Sequence, residues 1–222
     1  MIVTDGRSRM FLFGAARGLV SEGGSLGREA AAFLPDVMAL AVSREELEGL
    51  LLSLDGTTDG EDVFSGMTNY DEAYARHLSR YGDVSVPPAE LVAACRFAIA
   101  AGIPIRSVDM TEEEMTRASF GSLGPLDTVR YGIAMRNLRG RRFRAEDGRA
   151  FALEWDARVR RIRGFRELEA ARERHIARRL VSLARFYSRP FAAVEVQTLD
   201  GIVRALGAME WLETPEKTGP SE

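Results

Sequence analysis

The sequence predicts an α/β (α+β) fold, with a mixed central sheet flanked by helices and a long helical segment in the C-terminal half. Two observations support this class. In the N-terminal half, short apolar runs alternate with amphipathic helical patterns, an order typical of a parallel or mixed sheet. In the C-terminal half, a helical pattern begins at Leu126 and continues for about sixty residues, with breaks near Gly140, Gly148 and Gly164.

Strands are predicted where apolar residues cluster in short runs. These runs are MIVTD, RMFLFGA, DVMALAV, IPIRSVD and PFAAVEV. A three-residue polar turn joins the first two runs, which predicts an antiparallel hairpin. Gly23 and Gly24 follow the hairpin, and we interpret them as part of a loop.

Helices are predicted where apolar residues recur every three or four positions. Outside the long helical segment these stretches are LGREAAAFL, SREELEGLLLSL, NYDEAYARHLSRYG, VPPAELVAACRFAIAAG and LDGIVRALGAM. Two pairs, Ser43 with Glu46 and Thr111 with Glu114, have the spacing of a capping box. We therefore expect a helix to begin at each pair.

The chain is predicted to form one domain over residues 1–211. About 124–188 of this range is interpreted as a helical insertion, and 212–222 as a disordered polar tail. The turn-rich stretch 55–66 begins like a calcium-binding loop. Gly66 stands where the bidentate glutamate of such a loop belongs, so we interpret the stretch as a solvated loop.

Composition limits the class of protein. The net charge is −3, but 136–189 holds 17 arginines and seven carboxylates, a local charge of +10 that leaves −13 for the rest. No apolar run approaches the ~20 residues that span a bilayer, and the N-terminus lacks a secretory pattern. We therefore expect a cytoplasmic protein without a membrane partner. The single cysteine, Cys95, lies among apolar helix residues and is expected to be buried.

The usual catalytic motifs are missing from the sequence. It contains no G-x-S-x-G elbow, P-loop, G-x-G-x-x-G or Cys-His arrangement. A hydrolytic metal centre needs about three protein ligands, and the only histidines, His77 and His175, lie on separate predicted helices. We therefore predict neither a metal nor a cofactor, and the balance favours a protein that is not an enzyme.

Five stretches combine a strand or helix pattern with distinctive polar residues: FLFGAARG, PDVMALA, IRSVDM, ARERHIARRL and AVEVQTLDGI. In this order they resemble the TraB family, which includes the PrgY pheromone-shutdown proteins and is related to the Tiki and GumN proteins. The family pattern is Gly-x-x-His after a strand, Pro-Asp and then a glutamate, Arg-Asp near Met-Ala, and a second Gly-x-x-His before Gly-Ile. The resemblance covers most of the chain and implies a TraB/Tiki-like fold. Family members with demonstrated chemistry are described as metal-dependent peptidases that use the paired histidines and the glutamate.

The residues that match the family pattern belong to its frame. They are Gly14, Pro35, Asp36, Asp109, Arg172, Gly201 and Ile202. The positions of the reactive groups are changed, since Arg17 stands at the first histidine and Ala41 at the glutamate. Glu195 and Thr198 occupy the glycine and the histidine of the second motif, and Glu173 replaces the aspartate beside Arg172. The resemblance therefore implies a degenerate member without the family's metal site.

Two interpretations of the remaining pocket stay open. Arg17 and Arg172, with Arg106, offer guanidinium groups that suit a small anionic ligand. Alternatively, Arg17 pairs with Glu195 and a salt bridge occupies the place of the metal, which is the interpretation we favour. The predicted vestigial or ligand-binding pocket consists of Gly14, Arg17, Asp109, Arg172, Glu195 and Thr198.

Three functions follow from these observations. The favoured one is a non-catalytic, TraB-like binding or regulatory module that forms a homo-oligomer, with a dimer preferred, through its long helices. The second is a divergent metal-dependent hydrolase that uses Asp36, Asp109 and Glu195. The third is a nucleic-acid-binding protein, which the interleaved acidic residues and a pI near 5.6 disfavour.

Overall fold

The computed structural model describes residues 1–56 and 69–213 and confirms the α/β class with a mixed sheet. The strands are β1 (Ile2–Thr4), β2 (Arg9–Ala15), β3 (Val37–Leu40), β4 (Ile105–Ser107), β5 (Pro190–Glu195) and β6 (Leu212–Glu213). Their order in the sheet is β4-β3-β5-β2-β1-β6. The first four strands of that order are mutually parallel, and β1 is antiparallel to both of its neighbours.

Nine helices lie within the described ranges. They are α1 (Val20–Phe33), α2 (Arg44–Leu54), α3 (Asn69–Leu78), α4 (Ala89–Ala101), α5 (Glu112–Ser122), α6 (Pro125–Arg139), α7 (Gly148–Val159), α8 (Arg163–Ala184) and α9 (Val196–Gly207). The predicted breaks in the long helical segment are confirmed, because Gly140 ends α6, Gly148 begins α7, and Gly164 is the second residue of α8.

Several local predictions are confirmed in detail. The hairpin pairs β1 with β2 in the register Ile2 to Phe11, and all four residues of β3 are buried. Both hydrogen bonds of the capping box between Thr111 and Glu114 are present at the start of α5. Cys95 is buried in α4, and burial raises the pKa of its thiol to about 12.

Other predictions need correction at the boundaries of elements. Gly23 and Gly24 lie inside α1 rather than in a loop. Helix α9 begins at Val196, directly after β5, and not at Leu199. Residues 212–213 pair with β1, whereas the rest of the predicted tail and most of the stretch 55–66 lie outside the described residues.

Helices cover both faces of the sheet. Alternate residues of each parallel strand point to opposite sides, so Phe191 and Ala193 of β5 face one core while Ala192 and Val194 face the other. Helices α1, α2 and α4 pack on the first face, and α8 and α9 pack on the second. The result is a three-layer α/β/α arrangement.

A third apolar cluster lies at the carboxyl ends of the parallel strands. Helices α3, α6 and α7 contribute most of it, with Phe151 and Trp155 of α7 fully buried at its centre. Ala16 and Leu19, in the segment that follows β2, belong to the same cluster. These helices therefore form a cap over that edge of the sheet.

The chain changes sides between two neighbouring strands. Helix α1 follows β2 and packs on one face, whereas α9 follows the adjacent β5 and packs on the other. Such a switch opens a crevice outside the carboxyl ends of the two strands, which is where α/β proteins commonly bind ligands. The residues that follow β2 and β5 are therefore candidates for a functional site.

The division into one domain over 1–211 with an insertion at 124–188 stays a prediction, although α6, α7 and α8 occupy much of that range. Among the helices of the described ranges, none combines the length and apolar character that crossing a membrane requires.

A pair of glycines in α1 provides a test of this packing. A Cβ atom at Gly23 would lie 2.9 Å from the backbone oxygen of Ala89, where α1 meets the start of α4, whereas a Cβ at Gly27 would meet nothing within 4 Å. We expect Gly23→Ala to lower the free energy of unfolding by about 1–2 kcal/mol, because overlap with backbone outweighs the gain in helix propensity. Gly27→Ala should raise it by about 0.5–1 kcal/mol. Urea titration measures both, and equal stabilisation by the two variants would contradict the close helix contact.

Candidate functional site

Charged side chains converge at the carboxyl ends of the parallel strands. Arg17 lies two residues after β2, Asp109 lies two residues after β4, and Glu195 is the last residue of β5. Glu46, in the first turn of α2, follows β3. Because parallel strands end at the same edge of a sheet, the topology brings together residues that are far apart in sequence. Arg172 reaches this edge from α8 on the second face of the sheet.

These five residues form a continuous chain of ion pairs, here called the strand-end network: Glu46, Arg17, Glu195, Arg172 and Asp109. Arg172 lies 2.6 Å from Asp109 and 3.2 Å from Oε1 of Glu195. Arg17 lies 3.4 Å from the same Oε1, and its other terminal nitrogen contacts Glu46. The predicted pairing of Arg17 with Glu195 is therefore present, and Glu195 bridges the two arginines.

The network is largely shielded from solvent. The side chains of Asp109, Arg172 and Glu195 are 5%, 14% and 17% exposed. Burial alone would raise the pKa of Glu195, but the charges of Arg172 and Arg17 hold it below its ordinary value. Burial likewise opposes the charge of Arg172, yet Glu195 and Asp109 raise its pKa well above the usual value. The ionised forms of Glu195 and Arg172 are thus stabilised by their oppositely charged partners.

A second group of charges adjoins the network. Arg160 contacts Asp156 in α7 and lies 2.7 Å from Glu173 and 3.8 Å from Glu169, both in α8. We call these four residues the Arg160 cluster. Glu169 also lies 3.7 Å from Arg172, which joins the cluster to the strand-end network.

Carboxylates outnumber arginines at this edge of the sheet. Together the strand-end network and the Arg160 cluster hold three arginines and six carboxylates among the described residues. Burial raises the pKa of Glu169 to about 6 and also raises the pKa of Asp156 above its ordinary value. Proton uptake at these two groups therefore relieves part of the excess negative charge.

Glu90, near the start of α4, lies beside the network and was not identified from the sequence. It is 3% exposed, and its two carboxylate oxygens accept the backbone N–H of Gly18 at 3.1 and 3.3 Å. Burial raises the pKa of Glu90 to about 7, although its hydrogen bonds and the charge of Arg17 act in the opposite direction. Glu90 therefore titrates near neutral pH.

Little open space remains beside these charges. Arg17, Ala41 and Glu195 line one cavity of about 10 Å³, with Glu90 on its wall. This volume suffices for about one water molecule. Arg17, Ala41 and Glu195 lie at the ends of three different strands and therefore meet at one small cavity.

The other predicted pocket residues lie outside the network. Thr198 is buried in the first turn of α9, where its hydroxyl donates to the backbone oxygen of Glu195 at 2.9 Å. This hydroxyl therefore has a backbone partner at the end of β5, and its place in a ligand pocket stays a prediction. Arg106 is exposed on β4 and donates to the carbonyl of Ile105, so it does not join the other arginines.

Two glycines of the TraB-like pattern mark close contacts. A Cβ atom at Gly14 would lie 3.0 Å from Leu199 and 3.3 Å from the backbone of Val196, where β2 meets α9. A Cβ at Gly201 would overlap the carboxylate of Glu173, so the glycine leaves room for this side chain between α8 and α9.

A larger groove of about 540 Å³ lies on the other side of β2. Gly14 and Phe13 form part of its floor, together with residues of α1, α7 and α9. Arg149 lies above the ring of Phe13 at 5.2 Å and forms a two-point ion pair with Glu22, at 2.7 and 2.6 Å. Unlike the strand-end crevice, this groove has room for a ligand.

The remaining candidates for metal or acid–base chemistry are dispersed. His77 is buried among aromatic rings in α3, and its Nε2 lies 3.2 Å from the carbonyl of Arg139. Asp36 lies at the opposite edge of the sheet, where it accepts the backbone N–H groups of Ser188 and Arg189. Within the described ranges, no three His, Cys, Asp or Glu side chains are grouped so that they could hold a metal ion.

The sequence interpretation missed part of the site. Ser43 accepts the N–H of Glu46 as predicted, but the side chain of Glu46 binds Arg17. Arg160 and Glu90 were not singled out from the sequence. The available signal was that each carries a charge where helical periodicity places the face that packs on the protein, and a buried charge requires a partner.

Removal of Arg172 tests the strand-end network. The variant Arg172→Met would leave Asp109 and Glu195 buried without their shared partner, so we expect a loss of about 3–5 kcal/mol in the free energy of unfolding. Arg117→Met is the control, since the side chain of Arg117 is 74% exposed and pairs with Glu113 on the surface of α5. The control should change stability by less than about 0.5 kcal/mol. Similar losses in the two variants, measured by urea titration, would show that the network is not a stabilising contact.

The raised pKa of Glu90 predicts a pH-dependent stability. Its folded-state pKa exceeds the unfolded value of about 4.5, so the folded state binds the proton more tightly and the chain loses stability as the pH rises from about 4.5 to 7. Glu90→Gln removes this loss. We expect the free energy of unfolding of the variant, relative to that of the native chain, to be higher at pH 8 than at pH 5 by up to about 3 kcal/mol. The melting temperatures measured at the two pH values should change in the same direction. A difference that does not change with pH would contradict the assignment.

Neither a scan against protein-family models nor a search of curated proteins finds a match to this chain. The resemblance to the TraB family therefore stays a prediction from the sequence.

Proposed function

We propose that this chain is a non-catalytic, TraB-like binding or regulatory protein in which ion pairs occupy the place of the family's metal site. The observation that carries this proposal is the strand-end network, which fills the crevice between β2 and β5 where a substrate would otherwise enter. The cavity left beside it, of about 10 Å³, is too small for a peptide or for a metal with its water ligands.

The placement of the TraB-like positions supports the family part of the proposal. Arg17, Ala41 and Glu195 stand at three different motifs of the pattern, yet they line the same cavity. Gly201 and Glu173 stand at two further motifs and are in direct contact. Positions that belong to one ancestral site are expected to meet in this way, whereas unrelated short matches would be scattered.

The chemistry of the carboxylates speaks against the hydrolase alternative. Asp109 and Glu195 both accept hydrogen bonds from Arg172, which occupies oxygens that a general base would need for its substrate. Asp36, the third proposed carboxylate, lies at the opposite edge of the sheet. The three groups therefore cannot act on one substrate.

The ion pairs that the arginines form weaken the two remaining alternatives, which are an anionic ligand in the pocket and nucleic-acid binding. Arg17 and Arg172 have carboxylate partners, so a small anion at this point would meet Glu46, Glu195 and Asp109 as well. We therefore do not extend the proposal to an anionic ligand there. Several arginines of 136–189 are likewise ion-paired within the protein, as in Arg158 with Glu154, which leaves fewer charges for nucleic acid.

We assign the binding function to open surface of the protein outside the strand-end network. The groove beside Gly14 is lined by charged side chains of both signs, such as Arg149 and Glu22, and by apolar ones, such as Phe13. Self-association, a dimer in the first instance, and a cytoplasmic location belong to the same proposal on the sequence grounds given above.

The proposal is tested by a search for metal-dependent hydrolysis. We expect the native chain, incubated with a mixed peptide substrate and with Mn²⁺, Co²⁺ or Zn²⁺ in turn, to release no more product than the metal-free sample. Asp109→Asn should behave identically. Glu113→Gln is the control, because the side chain of Glu113 is 83% exposed and its ion pair is with Arg117 on the surface of α5. Turnover by the native chain and the control, with none in Asp109→Asn, would establish the hydrolase function instead.

A further inference from the structure

The edge of β2 that faces β1 is only partly paired. On this side the N–H of Leu12 donates to the carbonyl of Met1 at 2.8 Å, and the amine of Met1 donates to the carbonyl of Leu12 at 3.2 Å. The N–H of Arg9 points the other way and donates to the carbonyl of Ser188, beside β5, at 2.9 Å. Backbone groups alternate in this manner along a strand, so the N–H and C=O of Gly14 point to the same side as those of Leu12.

Gly14 lies beyond the reach of β1. The hydrogen bonds between β1 and β2 do not extend past Met1. The part of the chain that the structure describes provides no hydrogen bond to the N–H or the C=O of Gly14 on this side, although the residue is buried. The next donor on the same edge, the N–H of Ala16, is bound by Glu22 at 3.2 Å. The open part of the edge is therefore one residue long.

These two backbone groups of Gly14 require a partner. Roughly nine in ten buried backbone N–H and C=O groups in proteins are hydrogen-bonded, because an unpaired one costs free energy. The groove of about 540 Å³ lies at this edge of β2, since Met1, Leu12 and Gly14 all line it. A partner for Gly14 therefore reaches it through the groove.

The walls of the groove have the arrangement that an added strand requires. Glu22 and Ser25 of α1 line one side, and Val196 and Leu199 of α9 line the other. Neighbouring side chains of a strand point to opposite faces, so a segment beside Gly14 would direct them alternately to α1 and to α9. A Cβ at Gly14 would lie 3.0 Å from Leu199, which places the apolar wall on the face to which this residue points.

We propose that the groove binds an extended peptide segment of a partner protein, which pairs with Gly14 as an added strand in line with β1. An extended segment presents a backbone N–H and C=O along its edge, whereas the backbone groups of a helix are paired internally. The bound segment is expected to alternate apolar side chains, which face α9, with polar ones, which face α1. This inference rests on the binding function proposed above and names the class of partner that the groove accepts.

The first test selects a ligand from random octapeptides displayed on phage, with the native chain immobilised. Ser25→Trp fills the groove, and Ser182→Trp, on α8 and outside the groove, is the control. The two serines are matched, because each hydroxyl donates to the carbonyl four residues before it in a helix, at 3.1 and 2.9 Å. We expect a synthetic copy of a selected peptide to bind the native chain and the control equally, and Ser25→Trp at least about tenfold more weakly. Recovery of no binding peptide, or equal binding to all three proteins, would overturn the proposal.

The second test uses the native chain and reports on the backbone. Each amide of the selected peptide is N-methylated in turn. Because one peptide N–H donates to the C=O of Gly14, methylation at one position should weaken binding about tenfold and methylation at its two neighbours should not. The amide of Gly14 should exchange with solvent more slowly in the complex, whereas that of Phe13, which points to β5, should not change. Tolerance of methylation at every position, or unchanged exchange at Gly14, is incompatible with an added strand.

Mass spectrometry of the peptide after incubation separates this inference from the proposed function. We expect the peptide to be recovered intact. Cleavage of a peptide whose binding Ser25→Trp abolishes would overturn the non-catalytic function but support the groove as the peptide site. Failure of every peptide to bind, together with an absence of hydrolysis, would overturn the inference and leave the non-catalytic function in place.

Discussion

The buried charge of Arg172 is the constraint on which the arrangement of this protein depends. A guanidinium that is 14% exposed is tolerated only if carboxylates reach it, and here they come from Asp109 after β4 and from Glu195 at the end of β5. Arg172 itself belongs to α8, on one face of the sheet. One side chain therefore joins a helix, an edge strand and the central strand, and its loss would affect all three.

The same charges occupy the place where the topology would allow a ligand site. The crevice where the chain switches sides is a common ligand site, because strand ends and helix starts leave polar groups there. In this protein the charged groups there have partners within the chain: Arg17 bridges Glu46 and Glu195, and Glu90 accepts the N–H of Gly18. Groups that satisfy one another in this way stabilise a structure but are not available to a substrate.

Local pattern predicted the elements better than it predicted their contacts. The buried run of β3 and the capping box at Thr111 could be identified because their signals lie within a few residues, and the pairing of Arg17 with Glu195 followed from a resemblance that relates distant motifs. The role of Glu46 could not be predicted, since its spacing fits a helix cap equally well and its partner lies 29 residues away. Gly23 was taken for a loop because glycine is unfavourable within helices, whereas the close approach of α4 is visible only in three dimensions.

The position of β5 in the sheet has a consequence for the synthesis of the chain. This strand lies between β2 and β3 but is synthesised long after both of them. Until residues 190–195 emerge, the two strands that will flank it have no common neighbour, and each presents an unpaired, largely apolar edge. The sheet therefore cannot close cotranslationally in its final order, and a nascent chain interrupted before this strand is exposed to aggregation and to recognition by chaperones.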